Sequence, residues 1–135
     1  MIMIIGGYAQ GKLKYAKKNY SVCDAEIFDF EKNDLNILKD NSEELLSSRQ
    51  IVFNNINSLI KREINYGKSP FDLMKKLLDN YPNSIIITDE IGNGIVPIDK
   101  NERLLREKIG RVQCMLAEQA DEVIKVICGI GHKIK

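Results

Sequence analysis

The chain opens on an apolar run, Met1-Ile2-Met3-Ile4-Ile5, that leads directly into Gly6-Gly7-Tyr8-Ala9-Gln10-Gly11-Lys12. A buried strand feeding a glycine loop that ends in lysine constrains the fold more than anything else in the sequence. The spacing G-x-x-x-x-G-K is that of a phosphate-binding loop, met here at Gly6, Gly11 and Lys12. In such a loop consecutive N–H groups curl around phosphate oxygens, and the positive end of the following helix faces the same anion. Leu13 to Lys18 supplies the helical pattern that should follow. The position after the lysine, where a hydroxyl would reach a magnesium ion, holds Leu13. The residues expected to surround a nucleotide are Gly6, Gly7, Tyr8, Ala9, Gln10, Gly11, Lys12 and Leu13, with Lys12 the catalytic candidate.

Apolar runs separated by helical patterns continue along the chain. Glu26 to Phe30 alternates apolar with acidic residues and reads as a second strand, with Tyr20 to Cys23 competing for that place. Ser42 to Leu46 reads as a short capped helix. Gln50 to Asn55 is β-branched and aromatic, then ends in amides. Ile56 to Tyr66 has a helical stripe, Pro70 to Tyr81 a second helix, and Ser84 to Thr88 a strand apolar on both faces. The glycine-dense loop Asp89 to Pro97 precedes a long amphipathic helix over Asn101 to Gln119, with Leu104, Leu105, Ile109, Val112, Met115 and Leu116 on its apolar side. Val123 to Cys128 is a further strand, and Gly129 to Lys135 turns back as an edge hairpin.

Strands alternating with helices predict an α/β fold in three layers, with a mostly parallel sheet and right-handed crossovers. At 135 residues and 44% apolar content the chain is expected to form a single domain, residues 1–135. Ligands in such sheets sit at the carboxyl ends of strands, so the Gly6 loop, Asn54 and the Asp89 to Gly94 loop should converge. A formal net charge of +1 gives no field that would draw nucleic acid or an anionic membrane. No apolar stretch approaches the roughly eighteen residues of a spanning helix. Cys23, Cys114 and Cys128 are an odd number without a C-x-x-C pair, which fits a reducing, cytoplasmic setting, argues against a disulfide framework or a zinc site and leaves them as small core residues.

The second half resembles a known family. Thr88-Asp89-Glu90-Ile91-Gly92-Asn93-Gly94-Ile95-Val96-Pro97, then Arg103, Arg106 and Gly110-Arg111-Val112, then Ala120-Asp121-Glu122-Val123, Gly129-Ile130-Gly131 and Lys133-Ile134-Lys135, are similar to the adenosylcobinamide kinase / adenosylcobinamide-phosphate guanylyltransferase family. The resemblance implies a P-loop NTPase (RecA-like) fold assembled as a trimer and a place in cobalamin biosynthesis. It implies phosphorylation of the aminopropanol arm of adenosylcobinamide, a corrinoid, from GTP or ATP, then GMP transfer through a guanylylated histidine. It also places Glu90 and Ile91 beside the nucleotide.

This chain departs from the pattern in three places. Leu13 replaces the family's serine. Asn54 stands where the family has a metal-holding carboxylate, so Mg²⁺ binding should be weakened, with Asp89 the nearby substitute. Between Tyr20 and Gln50 there is no histidine, and His132 lies in the terminal hairpin, so guanylyl transfer is expected to be absent; Lys32 and Lys39 are the remaining nucleophiles. Arg103, Arg106 and Arg111 fit either phosphate or subunit contacts, or plain solvation. Two functions stay open: a working kinase, or a catalytically degraded homologue that binds nucleotide in a regulatory or scaffolding role.

Overall fold

The computed structural model describes residues 1–33, 50–92 and 94–135. Strand β1 (Ile2–Gly6) leads through the glycine loop into helix α1 (Lys12–Tyr20), and a 3-10 turn (Asp24–Glu26) precedes β2 (Ile27–Asp29). Then follow β3 (Val52–Asn54), α2 (Ile56–Asn65), α3 (Pro70–Asn80), β4 (Ile85–Asp89), α4 (Lys100–Gln119), β5 (Glu122–Ile127) and β6 (Ile130–Lys133). The expected helix over Ser42 to Leu46 and the candidate nucleophile Lys39 lie outside the described residues.

One six-stranded sheet runs in the order β2-β3-β4-β1-β5-β6. Its first five strands are mutually parallel, and only β6 is antiparallel, pairing Ile127 with Ile130 and Ile124 with Lys133. The mostly parallel α/β architecture is therefore as the alternating pattern predicts. β1 is central, with Ile4 opposite Ile87 on one side and Ile124 on the other.

Period-two alternation divides the core between the two sheet faces. Met3, Phe53, Ile86 and Val123 meet Ile56, Leu59 and Ile60 of α2, Met74 and Leu77 of α3, and Ile109, Val112 and Leu116 of α4. Ile4, Val52, Ile85, Ile87, Ile124 and Val126 face the opposite way, onto Ala16 of α1 and Val22. Helices thus cover both faces. Burying each large aliphatic side chain contributes about 1.5–3 kcal/mol, more than local helix propensity supplies.

Local chemistry fixes the boundaries. Ser69 caps α3 by accepting from the Asp72 N–H, with Pro70 in the first turn where its missing N–H costs nothing. Asp99 caps α4 by accepting from the Asn101 N–H, so this helix starts at Lys100, and Leu104 of its expected apolar side is exposed. Tyr20 closes α1 and Ser21 takes a left-handed conformation there; the second strand is the later candidate, Ile27–Asp29.

The cysteines overturn one expectation. All three are exposed, not in the core. Cys23 caps the 3-10 turn, Cys114 lies on the outer side of α4, and Cys128 has left the strand for the β5–β6 turn. There Cys128 and Gly129 both have positive φ (50° and 78°), the tight-hairpin geometry that matches strand twist.

Candidate functional site

The carboxyl ends of β2, β3, β4 and β1 carry Asp29, Asn54, Asp89 and Gly6 along one edge of the sheet. Gly6 is obligatory for packing: a Cβ there would strike the Val126 carbonyl oxygen on β5. Beyond it the chain turns through Ala9 (φ 55°) and Gly11 (φ 82°), two left-handed residues within the loop. Gly11 is the N-cap of α1 and no side chain caps this helix, so its first turn presents uncapped N–H groups and the positive end of its dipole to the loop.

Gln10 holds the loop to the far hairpin. Its carbonyl accepts from the Gly129 N–H at 2.9 Å and its Oε1 accepts from the Cys128 N–H at 2.7 Å. The sequence places Gln10 in the nucleotide loop without a catalytic role; the structure adds that it is the latch between two turns. Tyr8, by contrast, points outward and is 83% exposed.

Lys12 is only 8% exposed. Its ammonium donates to the carbonyls of Gly6 (3.2 Å) and Gly7 (2.6 Å) and to Oδ1 of Asp89 (2.5 Å). Leu13, in the place of a hydroxyl, packs toward the core beneath α1. Its side chain is a packing group with no oxygen for a metal.

Asn54 has a partner that the sequence does not reveal. Its Nδ2 donates to Oδ2 of Asp29 at 3.1 Å, and Nδ2 of Asn55 donates to Oδ1 of the same carboxylate at 2.9 Å. The Glu31 N–H adds a third donor at 3.0 Å. Burial alone would raise the Asp29 pKa, but these donors, together with the charge of Lys32, outweigh it and hold the carboxyl below its ordinary value. The only advance signal is that Asp29 ends a strand in a parallel sheet, where polar strand ends align.

The Glu90 N–H donates to the Gly6 carbonyl at 2.9 Å, tying the β4 loop to the root of the glycine loop. Its carboxylate accepts from Nζ of Lys125 at 2.8 Å. Ile91 packs against the larger core cluster. The arginines of α4 serve the loop before it: Arg103 donates to the carbonyls of Pro97 and Ile98, and Arg106 to that of Ile95. Arg111 pairs with Glu107 one turn away. The three arginines thus divide between loop support and a surface ion pair.

Three imidazole, thiol or carboxylate groups placed to hold a metal occur nowhere among the described residues. With Leu13 apolar and Asn54 an uncharged amide whose Nδ2 is turned to Asp29, these two positions lack the hydroxyl and the carboxylate that would hold a magnesium ion. A cleft lined by Ile64, Asn65, Asp99, Glu102, Leu105 and Lys108 lies between α2 and α4 and includes none of the loop residues. Chemistry, not concavity, makes the Gly6 to Lys12 loop the candidate site.

Sheet order, loop and uncapped helix together define an α/β protein of the phosphate-loop class. The chain belongs to the cobinamide kinase / cobinamide phosphate guanyltransferase family, whose model matches residues 35–134. The matched span begins after the glycine loop. Over 51 residues the chain is 49% identical to the bifunctional adenosylcobalamin biosynthesis protein CobU of Salmonella typhimurium (strain LT2), a stretch that is 38% of this chain and 28% of that protein. It is 47% identical over 51 residues, with the same coverage, to the protein of that name from Escherichia coli (strain K12). The alignment thus spans well under a third of either relative. No described helix is long and apolar enough to cross a membrane.

Proposed function

We propose that residues Gly6 to Leu13 bind the phosphate tail of GTP or ATP, with Glu90 and Ile91 flanking the nucleotide, and that the chain acts in cobalamin biosynthesis. The observation that carries this reading is the uncapped, left-handed entry into α1 at Gly11 with Lys12 buried at its first position. Backbone donors, helix dipole and one ammonium are the parts that phosphate recognition needs. Family membership supports the pathway and names the acceptor class, a cobinamide.

The activity this loop would support is phosphoryl transfer to the cobinamide aminopropanol hydroxyl, with Lys12 neutralising charge on the transferred group. Leu13 and Asn54 favour a second reading, a homologue that binds nucleotide and has lost catalysis. Phosphoryl transfer depends on positioning and charge neutralisation, so the absence of the hydroxyl at position 13 and of the carboxylate at position 54 costs several kcal/mol of transition-state stabilisation. Guanylyl transfer through histidine forms no part of the proposal, nor do nucleic-acid partners. A single domain, a homotrimer and a cytoplasmic location are further parts of the proposed picture.

Isothermal titration with GTP and ATP, with and without Mg²⁺, tests it. Binding by wild type that is abolished in Lys12→Ala supports the site; no binding of either nucleotide overturns it. A small gain on adding magnesium favours the degraded reading, and a large one favours the kinase.

A further inference from the structure

We propose that Asp89 sets the anion affinity of the loop by competing with phosphate for the ammonium of Lys12, an inference that rests on reading Gly6 to Leu13 as a phosphate site. An ammonium has three N–H donors and no more. In this structure they face three acceptors, the Gly6 carbonyl, the Gly7 carbonyl and Oδ1 of Asp89. A phosphate oxygen can gain Lys12 only by displacing one of them. Asp89 is the exchangeable partner, because it is a side chain, 35% exposed, whereas the two carbonyls belong to the main chain of the loop and its root.

The carboxylate cannot leave the neighbourhood after giving up Lys12. The Asp89 main chain is fixed by the β1–β4 register opposite Gly6, and its carbonyl accepts from Nδ2 of Asn57 (2.9 Å) and Nε2 of Gln113 (2.8 Å). Those amides form part of a buried network with Thr88, so the end of β4 has little room to shift. The incoming phosphate therefore meets a competitor for its cation and a like charge that stays beside it. Both effects act in the same direction. Asp89 is a specificity-determining residue that reduces affinity for highly charged phosphate tails, and a loop without that carboxylate would hold them more tightly.

The test is a titration of GTP and of inorganic tripolyphosphate into wild type, Asp89→Asn, Asp89→Ala and the double variant Lys12→Ala/Asp89→Asn, in EDTA so that no metal bridges the charges. The asparagine keeps the shape and removes the charge; the alanine guards against a new amide contact. Matching urea midpoints establish that each variant is folded. Both single variants should bind both ligands about tenfold or more tighter than wild type, and the double variant should lose the gain. Unchanged or weaker binding in both single variants, with wild type still binding, overturns the inference and leaves the phosphate site standing. A gain that survives in the double variant also overturns it, because the competition would not pass through Lys12. Failure of wild type and every variant to bind either ligand removes the site and the inference with it.

Discussion

Nε2 of Gln113 lies 3.1 Å from Oδ1 of Asn57, joining α4 to α2 beneath the end of β4. Gln113 also donates to Oγ1 of Thr88 at 2.9 Å and to the Asp89 carbonyl, while the Thr88 hydroxyl donates to Oδ1 of Asn57 at 2.8 Å. Asn57, Thr88 and Gln113 are all buried, so this satisfied polar knot replaces hydrocarbon exactly where the strand delivers Asp89 to Lys12. Removing Asn57 leaves the buried Thr88 hydroxyl without its acceptor and takes one donor from the Asp89 carbonyl. Asn57→Leu should therefore destabilise the fold by about 2–4 kcal/mol in urea unfolding. Lys61→Ala, on the exposed side of the same helix, should stay within about 0.5 kcal/mol.

Two glycines should respond in opposite directions to alanine. At Gly6 the new methyl meets the Val126 carbonyl oxygen, and main chain has to move. Gly6→Ala should cost about 1–3 kcal/mol. At Gly110, inside α4, a Cβ meets nothing within 4 Å, so Gly110→Ala should stabilise by about 0.5–1 kcal/mol through helix propensity. Equal effects at the two sites would contradict the close approach of β1 to β5.

Asp29 carries a pH signature. Its folded-state pKa is depressed because, although burial opposes it, the Glu31 N–H, the Asn55 and Asn54 amides and the Lys32 charge together prevail. A depressed carboxyl pKa stabilises the fold above the unfolded-state value, near 3.9 for aspartate, and that stabilisation disappears as pH falls through the lower folded-state value. Wild type should thus exceed Asp29→Asn in stability at pH 7. The difference should shrink steadily below about pH 4. A difference independent of pH between 7 and 2.5, read from urea unfolding at about half-unit steps, would contradict the assignment.

The thiols offer a direct measurement. Cys23, Cys114 and Cys128 are all exposed, so native protein should titrate three equivalents with an aromatic disulfide reagent, the same number as protein in urea. Slow or partial reaction in the native state would place one of them back in the interior.

Much of the architecture is legible in local pattern. The runs Met1 to Ile5 and Ile85 to Ile87 are apolar on successive positions because central parallel strands are covered on both faces, and Val123 to Val126 is apolar apart from Lys125; each is a strand. The amphipathic stretch after Pro97 is legible for the same reason, since Ile109, Val112 and Leu116 repeat at helical spacing and all are buried. What sequence does not reveal are pairings made by register. Asp29 reaches Asn54 across 25 residues only because β2 lies beside β3, and Lys12 reaches Asp89 across 77 because β4 lies beside β1. Arginines 103 and 106 pass for solvated or phosphate-seeking charges until the carbonyls they bind are in view. The cysteines mislead because a small sulfur side chain is usually interior, and nothing local distinguishes a turn position from a strand end.

The latch between Gln10 and the hairpin gives the glycine loop a natural spectroscopic handle. A fluorophore placed on Cys128, with Cys23 and Cys114 changed to serine, would sit on the residue whose N–H is held by the Gln10 side chain. Any rearrangement of the loop as it closes on an anion would pass to the dye through this bond and its neighbour from the Gly129 N–H, so occupancy could be followed in real time by emission, without a labelled nucleotide and without turnover.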